Sequence, residues 1–197
     1  MKQLIISIGR ESGSGGHEIA EKLAQRFDLP LYDNNLLTEI AKDRNLNEEE
    51  LRRYEEAPRN RFFSRSIRGV SNSVEATVTA LQTARLRTKS SKGESFVIVG
   101  RCAESVLADN PGLISIFISG DPDTRIHRLM ARHDFSAREA ADYMNKQDRR
   151  RRAYHDENCS GRWGDSANYH LTINSSLLGI DGTVSLLEHY IRERVGL

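Results

Sequence analysis

The residue types best suited to chemistry open the chain: a glycine- and serine-rich run, Gly9-Arg-Glu-Ser-Gly-Ser-Gly-Gly-His17. It follows the apolar segment Leu4-Ile-Ile-Ser-Ile8 and precedes a helical pattern with Ile19, Ala20, Leu23, Ala24 and Phe27 on one face. A strand, a glycine-rich turn and a helix in that order gather consecutive backbone N–H groups around an anion, and the helix N-terminus adds partial positive charge. Glycine lets the backbone come close and take positive φ without a Cβ clash. The spacing therefore predicts phosphate contacts from the N–H groups of Gly13, Ser14, Gly15, Gly16 and His17. The run departs from the pattern G-x-x-x-x-G-K-[ST], because Gly15 is followed by Gly16, His17 and Glu18. The phosphate-neutralising lysine and the metal-binding hydroxyl are both missing. A protonated His17 would restore part of the charge. With an unperturbed pKa near 6.5, a neutral donor is the safer expectation.

Arginines are the next candidates. Gly100-Arg101-Cys102 follows an apolar run that reads as a strand, and ligands in open α/β sheets bind beyond the carboxyl ends of strands. Arg101 is thus expected near the glycine-rich turn, where its planar guanidinium would clamp a phosphate bidentately. The bland alternative is an arginine that caps a helix or pairs with Glu104. Arg149-Arg-Arg-Arg152 puts Arg149 and Arg152 on one helical face, with Asp148 and Arg152 also spaced as i, i+4 neighbours. They are the candidates for an arginine-bearing lid, against a plain solvated face or a nucleic-acid patch. Asp33 would hold a magnesium-bound water or accept a substrate hydroxyl, or else simply cap the helix after it. Trp163, in a polar glycine-flanked loop, would either stack on a base or pin the loop.

The elements that must position these residues are legible in the pattern. Short apolar strands are predicted at 4–8, 30–32, 96–99, 113–118 and 169–173. Two of them are nearly continuous and β-branched, as befits strands covered on both faces. Helical patterns fall at about 16–27, 34–44, 47–56, 70–88, 102–109, 122–132, 136–153 and 180–194. Asn47 and Ser136 are the predicted N-caps, the latter with Glu139 in a capping box. Alternation of strand and helix predicts a three-layer α/β domain with a parallel sheet, one domain over residues 1–197. Two polar stretches lie outside its core, at about 34–92 and 145–167.

Composition narrows the class further. The 197 residues carry a formal charge of +1, which gives no general reason to expect nucleic acid or a membrane as partner. No apolar run nears the roughly twenty residues that span a bilayer, and no signal-peptide pattern is recognisable, so a cytoplasmic protein is expected. Cys102 and Cys159 suggest neither a disulfide scaffold nor a metal site, and no residues are assigned as metal ligands.

Taken together, Gly9-Arg-Glu-Ser-Gly-Ser-Gly-Gly-His-Glu-Ile-Ala20, Leu29-Pro-Leu-Tyr-Asp33, Val97-Ile-Val-Gly-Arg-Cys102, Trp163-Gly-Asp165 and Ile173-Asn-Ser-Ser-Leu-Leu-Gly-Ile-Asp181 resemble the cytidylate kinase-like family. This is a bacterial branch of the P-loop nucleoside monophosphate kinases. The resemblance spans essentially the whole chain with its motifs in order. It implies a five-stranded sheet of order 2-3-1-4-5, a monophosphate-binding excursion at 34–92 and a lid at 145–167. It further implies transfer of the γ-phosphoryl of ATP, with Mg²⁺, to a nucleoside monophosphate, CMP or dCMP being the expected acceptor. Carried over by position, Ser12 to Gly16 form the triphosphate loop and Arg101 is the arginine that holds the acceptor phosphate. Asn174 lies in the segment near adenine. Arg65, in the basic segment Arg59–Arg68 of the excursion, joins Asp33 as an acceptor contact, and Arg149 and Arg152 supply the lid charge. The family's loop lysine corresponds to Gly16, and its Gly-Arg-Asp aspartate to Cys102. Arg10 and His17 are the nearest candidates for the lysine's role.

Two other classes remain open on the sequence. A nucleotide-binding module with little or no turnover would follow if the missing lysine has cost catalysis. A nucleic-acid-binding protein rests on the arginine run alone, without the interleaved aromatic residues that a single-strand binder needs.

Overall fold

Apolar β-branched runs that cannot face water on either side form the centre of the molecule. The structure, a computed structural model, describes residues 3–33, 35–54, 66–67, 70–71 and 74–196. In chain order its first half comprises β1 (Ile5–Arg10), α1 (Gly16–Phe27), β2 (Leu31–Tyr32), α2 (Asn35–Arg44), α3 (Glu48–Arg53), β3 (Ser66–Ile67), β4 (Val70–Ser71) and α4 (Val74–Ser91). The second half comprises β5 (Phe96–Val99), α5 (Ala103–Val106), β6 (Leu113–Ser119), α6 (Pro122–His133), α7 (Ala137–Asn158), a 3₁₀ turn (Ser166–Asn168), β7 (Leu171–Asn174) and α8 (Ser175–Val195).

Five strands pair in the order β2-β5-β1-β6-β7, all parallel, so that in chain order of the sheet strands the arrangement is 2-3-1-4-5. Successive side chains of a strand point to opposite faces. Ile6, Ile8, Val97, Ile114 and Ile116 therefore pack against Ile19 and Leu23 of α1 and Val184, Leu187 and Ile191 of α8. On the other face Ile5, Phe96 and Ile98 meet Leu36, Leu37 and Ile40 of α2 and Val78 and Leu86 of α4. Leu129, Ala140 and Met144 make a separate small cluster that joins α6 to the first half of α7. The result is the expected three-layer α/β fold, with the carboxyl ends of β1, β2 and β5 opening on one edge.

Both predicted caps form. The Asn47 side chain accepts from the N–H groups of Glu49 and Glu50, and Ser136 and Glu139 make a reciprocal capping box. Three boundaries differ most from the pattern. The helix expected from residue 70 starts at Val74, because Val70–Ser71 pairs antiparallel with Ser66–Ile67. Helix α7 continues to Asn158 rather than ending near 153. Helix α8 starts at Ser175, but Gly179 is non-helical at φ 68°, and the helix expected from 180 lies beyond that break. Among the described residues no helix is long and apolar enough to cross a membrane.

Candidate functional site

The turn between β1 and α1 is built as an anion cradle. Gly13 and Gly15 take φ of 77° and 79°, where a side chain would be strained. A Cβ on Gly13 would also lie 2.6 Å from the backbone oxygen of Arg125, and one on Gly15 would strike Ile180. The loop's carbonyls are turned outward and held. Arg125 Nε donates to Ser12 O at 2.8 Å, Arg128 Nη1 donates to Ser14 O at 2.9 Å, and Ser175 Oγ donates to the same oxygen. With the carbonyls fixed outward, among the described residues the N–H groups of Gly13, Gly15 and His17 donate to no protein acceptor. That arrangement fits a triphosphate.

Arg125 is the hub of this support. It is buried, with Nη1 3.2 Å from Glu11 Oε2 and Nη2 on Asp148 Oδ2. Glu11 Oε2 also accepts from the N–H of Gly120 at 3.0 Å, and Asp148 Oδ1 accepts from the N–H of Ser12 at 2.7 Å. Two carboxylates and one guanidinium thus tie the loop to β6, α6 and α7.

Gly16 explains the missing lysine in steric terms. A Cβ there would sit 2.5 Å from Cβ of Arg10, so the stem of Arg10 occupies the space that a side chain at position 16 would need. Arg10, at the end of β1, then lines a cavity with Arg101, Arg151, Tyr154 and Trp163. The cavity holds about 20 Å³, room for one water molecule. Three arginines, from β1, the turn after β5 and α7, line it.

Asp33 stands at its edge. Its Oδ2 lies 3.0 Å from His17 Nδ1 and its Oδ1 lies 3.5 Å from Arg101 Nη2. Burial pushes the Asp33 carboxyl up, but the hydrogen bond with His17 and the charges of Arg10 and Arg101 outweigh it and hold it below its ordinary value. The hydrogen bond to Asp33 raises the His17 pKa against the effect of burial. His17 therefore protonates more readily than an isolated imidazole. Its ring nitrogens face Asp33 and Glu21, at 3.0 and 3.2 Å, so that charge is largely spent on carboxylates.

Other expected residues fall in different places. Asp33 directs its carboxylate at His17 and Arg101 rather than along α2. Arg101 is buried, 4 % exposed, in a turn where it and Cys102 both have positive φ. Of the arginine run it is Arg151 that reaches the cavity. Arg149 is exposed, and Arg152 is exposed with its guanidinium 5.5 Å over the Trp163 ring. Asp148, expected beside Arg152, serves Arg125 and Ser12 instead. Trp163 packs edge-on against Phe117, with ring centroids 5.4 Å apart, and pins its loop. Asn174 caps α8 by accepting from the N–H of Ser176 and donates to Asp121 Oδ1 at 2.8 Å. Arg65 lies outside the described residues.

The cysteines require a correction. Cys102 and Cys159 are joined in a disulfide, with Cα atoms 6.3 Å apart across 57 residues of sequence. The turn after β5 meets the C-terminus of α7 there, a juxtaposition that sequence spacing does not reveal. Glu104 lies beside the bond, its Oε1 3.8 Å from Cys159 Sγ.

The cytidylate kinase-like family model matches residues 5–177, most of the chain. The chain belongs to the cytidylate kinase-like family. Among solved structures, an uncharacterized protein from Eubacterium ventriosum is 37 % identical over 96 % of this chain and 98 % of its own, with a TM-score of 0.76. A shikimate kinase from Bacteroides thetaiotaomicron is 15 % identical over 96 % and 98 %, with a TM-score of 0.56. A shikimate kinase from Acinetobacter baumannii, solved with shikimate, is 12 % identical over 97 % and 94 %, with a TM-score of 0.55. These two establish a common P-loop kinase fold. Among curated proteins no sequence match reaches significance.

Proposed function

We propose that this family member is a P-loop phosphotransferase that moves the γ-phosphoryl of ATP to a small anionic acceptor, with CMP or dCMP as the expected substrate. The observation that carries the reading is the convergence of Arg10, Arg101 and Arg151 on one cavity beside the glycine cradle. Phosphoryl transfer asks little covalent chemistry of the protein, and catalysis comes from positioning and from neutralising spread-out charge.

In this reading the N–H groups of Gly13, Gly15 and His17 hold the donor phosphates, while those of Ser14 and Gly16 donate to Glu11 O and Ser14 Oγ within the loop. Arg101 and Arg151 bind the acceptor's anionic group. Arg10 takes the role of the absent lysine, reaching from the strand rather than from the helix. An acceptor phosphate oxygen attacks the γ-phosphorus, the bond to the β,γ-bridging oxygen breaks, and ADP departs with that oxygen. A nucleoside monophosphate is already ionised, so no general base is required. Asp33 then positions Arg101 and His17. Nucleotide-bound magnesium would add charge neutralisation. The nearby carboxylates Asp33, Glu11 and Asp148 are engaged by cations of the protein, so the metal's ligands would be mainly phosphate oxygens and water.

A coupled ADP-release screen with MgATP over nucleoside monophosphates and small alcohol metabolites tests this. ADP formation with an anionic acceptor, CMP or dCMP foremost, is expected. Tight ATP binding with no acceptor-dependent ADP would favour the non-catalytic binding module.

A further inference from the structure

We propose that the Cys102–Cys159 pair is a reversible thiol modification site that locks the acceptor cavity shut when oxidised and lets it open when reduced. The inference rests on the acceptor role proposed above for that cavity.

The bond lies across the seam between the cavity's two walls. Arg10, Arg101 and Cys102 belong to the wall formed by the ends of β1 and β5, and Arg151, Tyr154 and Trp163 belong to the wall formed by α7 and the loop after it. Cys102 follows Arg101 directly, and Cys159 is the C-cap residue of α7. His155 Nε2 also meets Glu104 Oε1 at 2.9 Å across the same seam. The enclosed space of about 20 Å³ admits a water molecule but no organic acceptor. For three arginines to meet a nucleotide-sized ligand the walls must separate. The apolar cluster that holds the first half of α7, at Ala140 and Met144, ends about two helical turns before Arg151. The covalent bond at the far end of the helix adds to the non-covalent ties that oppose opening, the His155–Glu104 pair, the Asp148 contacts and Trp163 on Phe117. It is the one among them that redox chemistry can cut.

These are the only two cysteines of the chain, so no other thiol competes for the pairing. Formation of the bond removes two protons and two electrons from the thiols, which a disulfide of low molecular weight accepts by becoming two thiols. In reverse, a dithiol reductant attacks the sulfur of Cys159, the more accessible of the two. A mixed disulfide forms, Cys102 leaves as a thiolate and takes up a proton, and the reductant's second thiol displaces Cys159.

The full chain is prepared oxidised with glutathione disulfide and reduced with dithiothreitol, its state fixed by thiol counting, alongside Cys159→Ser. Three readouts are compared: hydrogen exchange over residues 145–167, emission of Trp163 (the single tryptophan, on the moving wall), and acceptor-dependent ADP release. Reduction is expected to speed exchange in that segment at least tenfold, to shift the Trp163 emission to the red, and to raise turnover at least tenfold. Cys159→Ser should match the reduced protein and ignore dithiothreitol. Equal exchange and emission in both states would overturn the proposal and leave a static staple, as would thiols that resist glutathione disulfide. Absence of turnover in every state would count against the kinase reading alone, because exchange and emission decide the redox question without it.

Discussion

Two groups of arginines lie within one site and are used differently. Arg125 and Arg128, on α6, give donors to the phosphate loop's own carbonyls, and Arg125 also neutralises Glu11 and Asp148. Arg10, Arg101 and Arg151, from β1, the turn after β5 and α7, surround a cavity instead. The first group fixes the shape of an anion cradle from behind, and the second lays positive charge where a ligand would sit. Residue type alone does not distinguish the roles; what each guanidinium faces does.

The largest expected break in this contrast comes from the supporting group. Arg125→Leu strands two carboxylates beside the loop. Removing one partner of such a buried network costs about 3–5 kcal/mol, so denaturant unfolding should show a loss of that order together with loss of ATP binding. A change below about 1 kcal/mol would mean that Glu11 and Asp148 find other partners and that the loop does not depend on α6.

A smaller effect concerns the seam between the walls. Burial is the largest single influence and lowers the His155 pKa, but its hydrogen bonds and charge interactions with Glu104 and Asp156 together outweigh it and leave the pKa raised above 6.5. A folded-state pKa above the unfolded one gives stability that is present below the unfolded value and lost as pH rises through the folded value. Melting temperature should therefore decline as pH climbs from about 6.5 through the raised value, and His155→Gln should abolish that component. An unchanged pH profile in the variant would place the titration elsewhere.

The smallest effect belongs to Arg152→Ala, which removes an exposed guanidinium from the face of Trp163. Such a contact is worth about 0.5–1 kcal/mol, and turnover should stay within about fivefold of the unaltered chain, a figure set by the upper end of that range. A much larger loss of turnover would return Arg152 to the ligand and blur the line drawn at Arg151.

The sequence pattern carried the sheet strands well, because Ile5–Ile8, Phe96–Val99 and Leu113–Ile118 are apolar on both faces and bounded by glycine or polar residues. The cradle was legible for the same local reason, since strand, glycines and helix are contiguous. What failed to show was long-range. Helical periodicity ranks Arg149 with Arg152, yet the direction in which α7 crosses the sheet edge brings Arg151 to the cavity. Asp148 had an obvious local partner in Arg152 but is claimed by Arg125, 23 residues away. The pairing of Cys102 with Cys159 depends on where α7 ends, five residues beyond the expected boundary (158 against 153). One signal was available for the proposed relocation of charge to Arg10: a glycine at the position of the loop lysine, with an arginine six positions earlier.

That relocation is the central claim, and the most direct measurement is the turnover of Arg10→Ala in the ADP-release assay, with melting recorded on the same preparation. Loss of one preorganised charge stabiliser should lower kcat by about 10²–10³, while the melting temperature stays within about 4 °C, as for a change near 1 kcal/mol in a domain of this size. Undiminished kcat in Arg10→Ala would contradict the account, because the arginine that fills the lysine's space would then not perform its work.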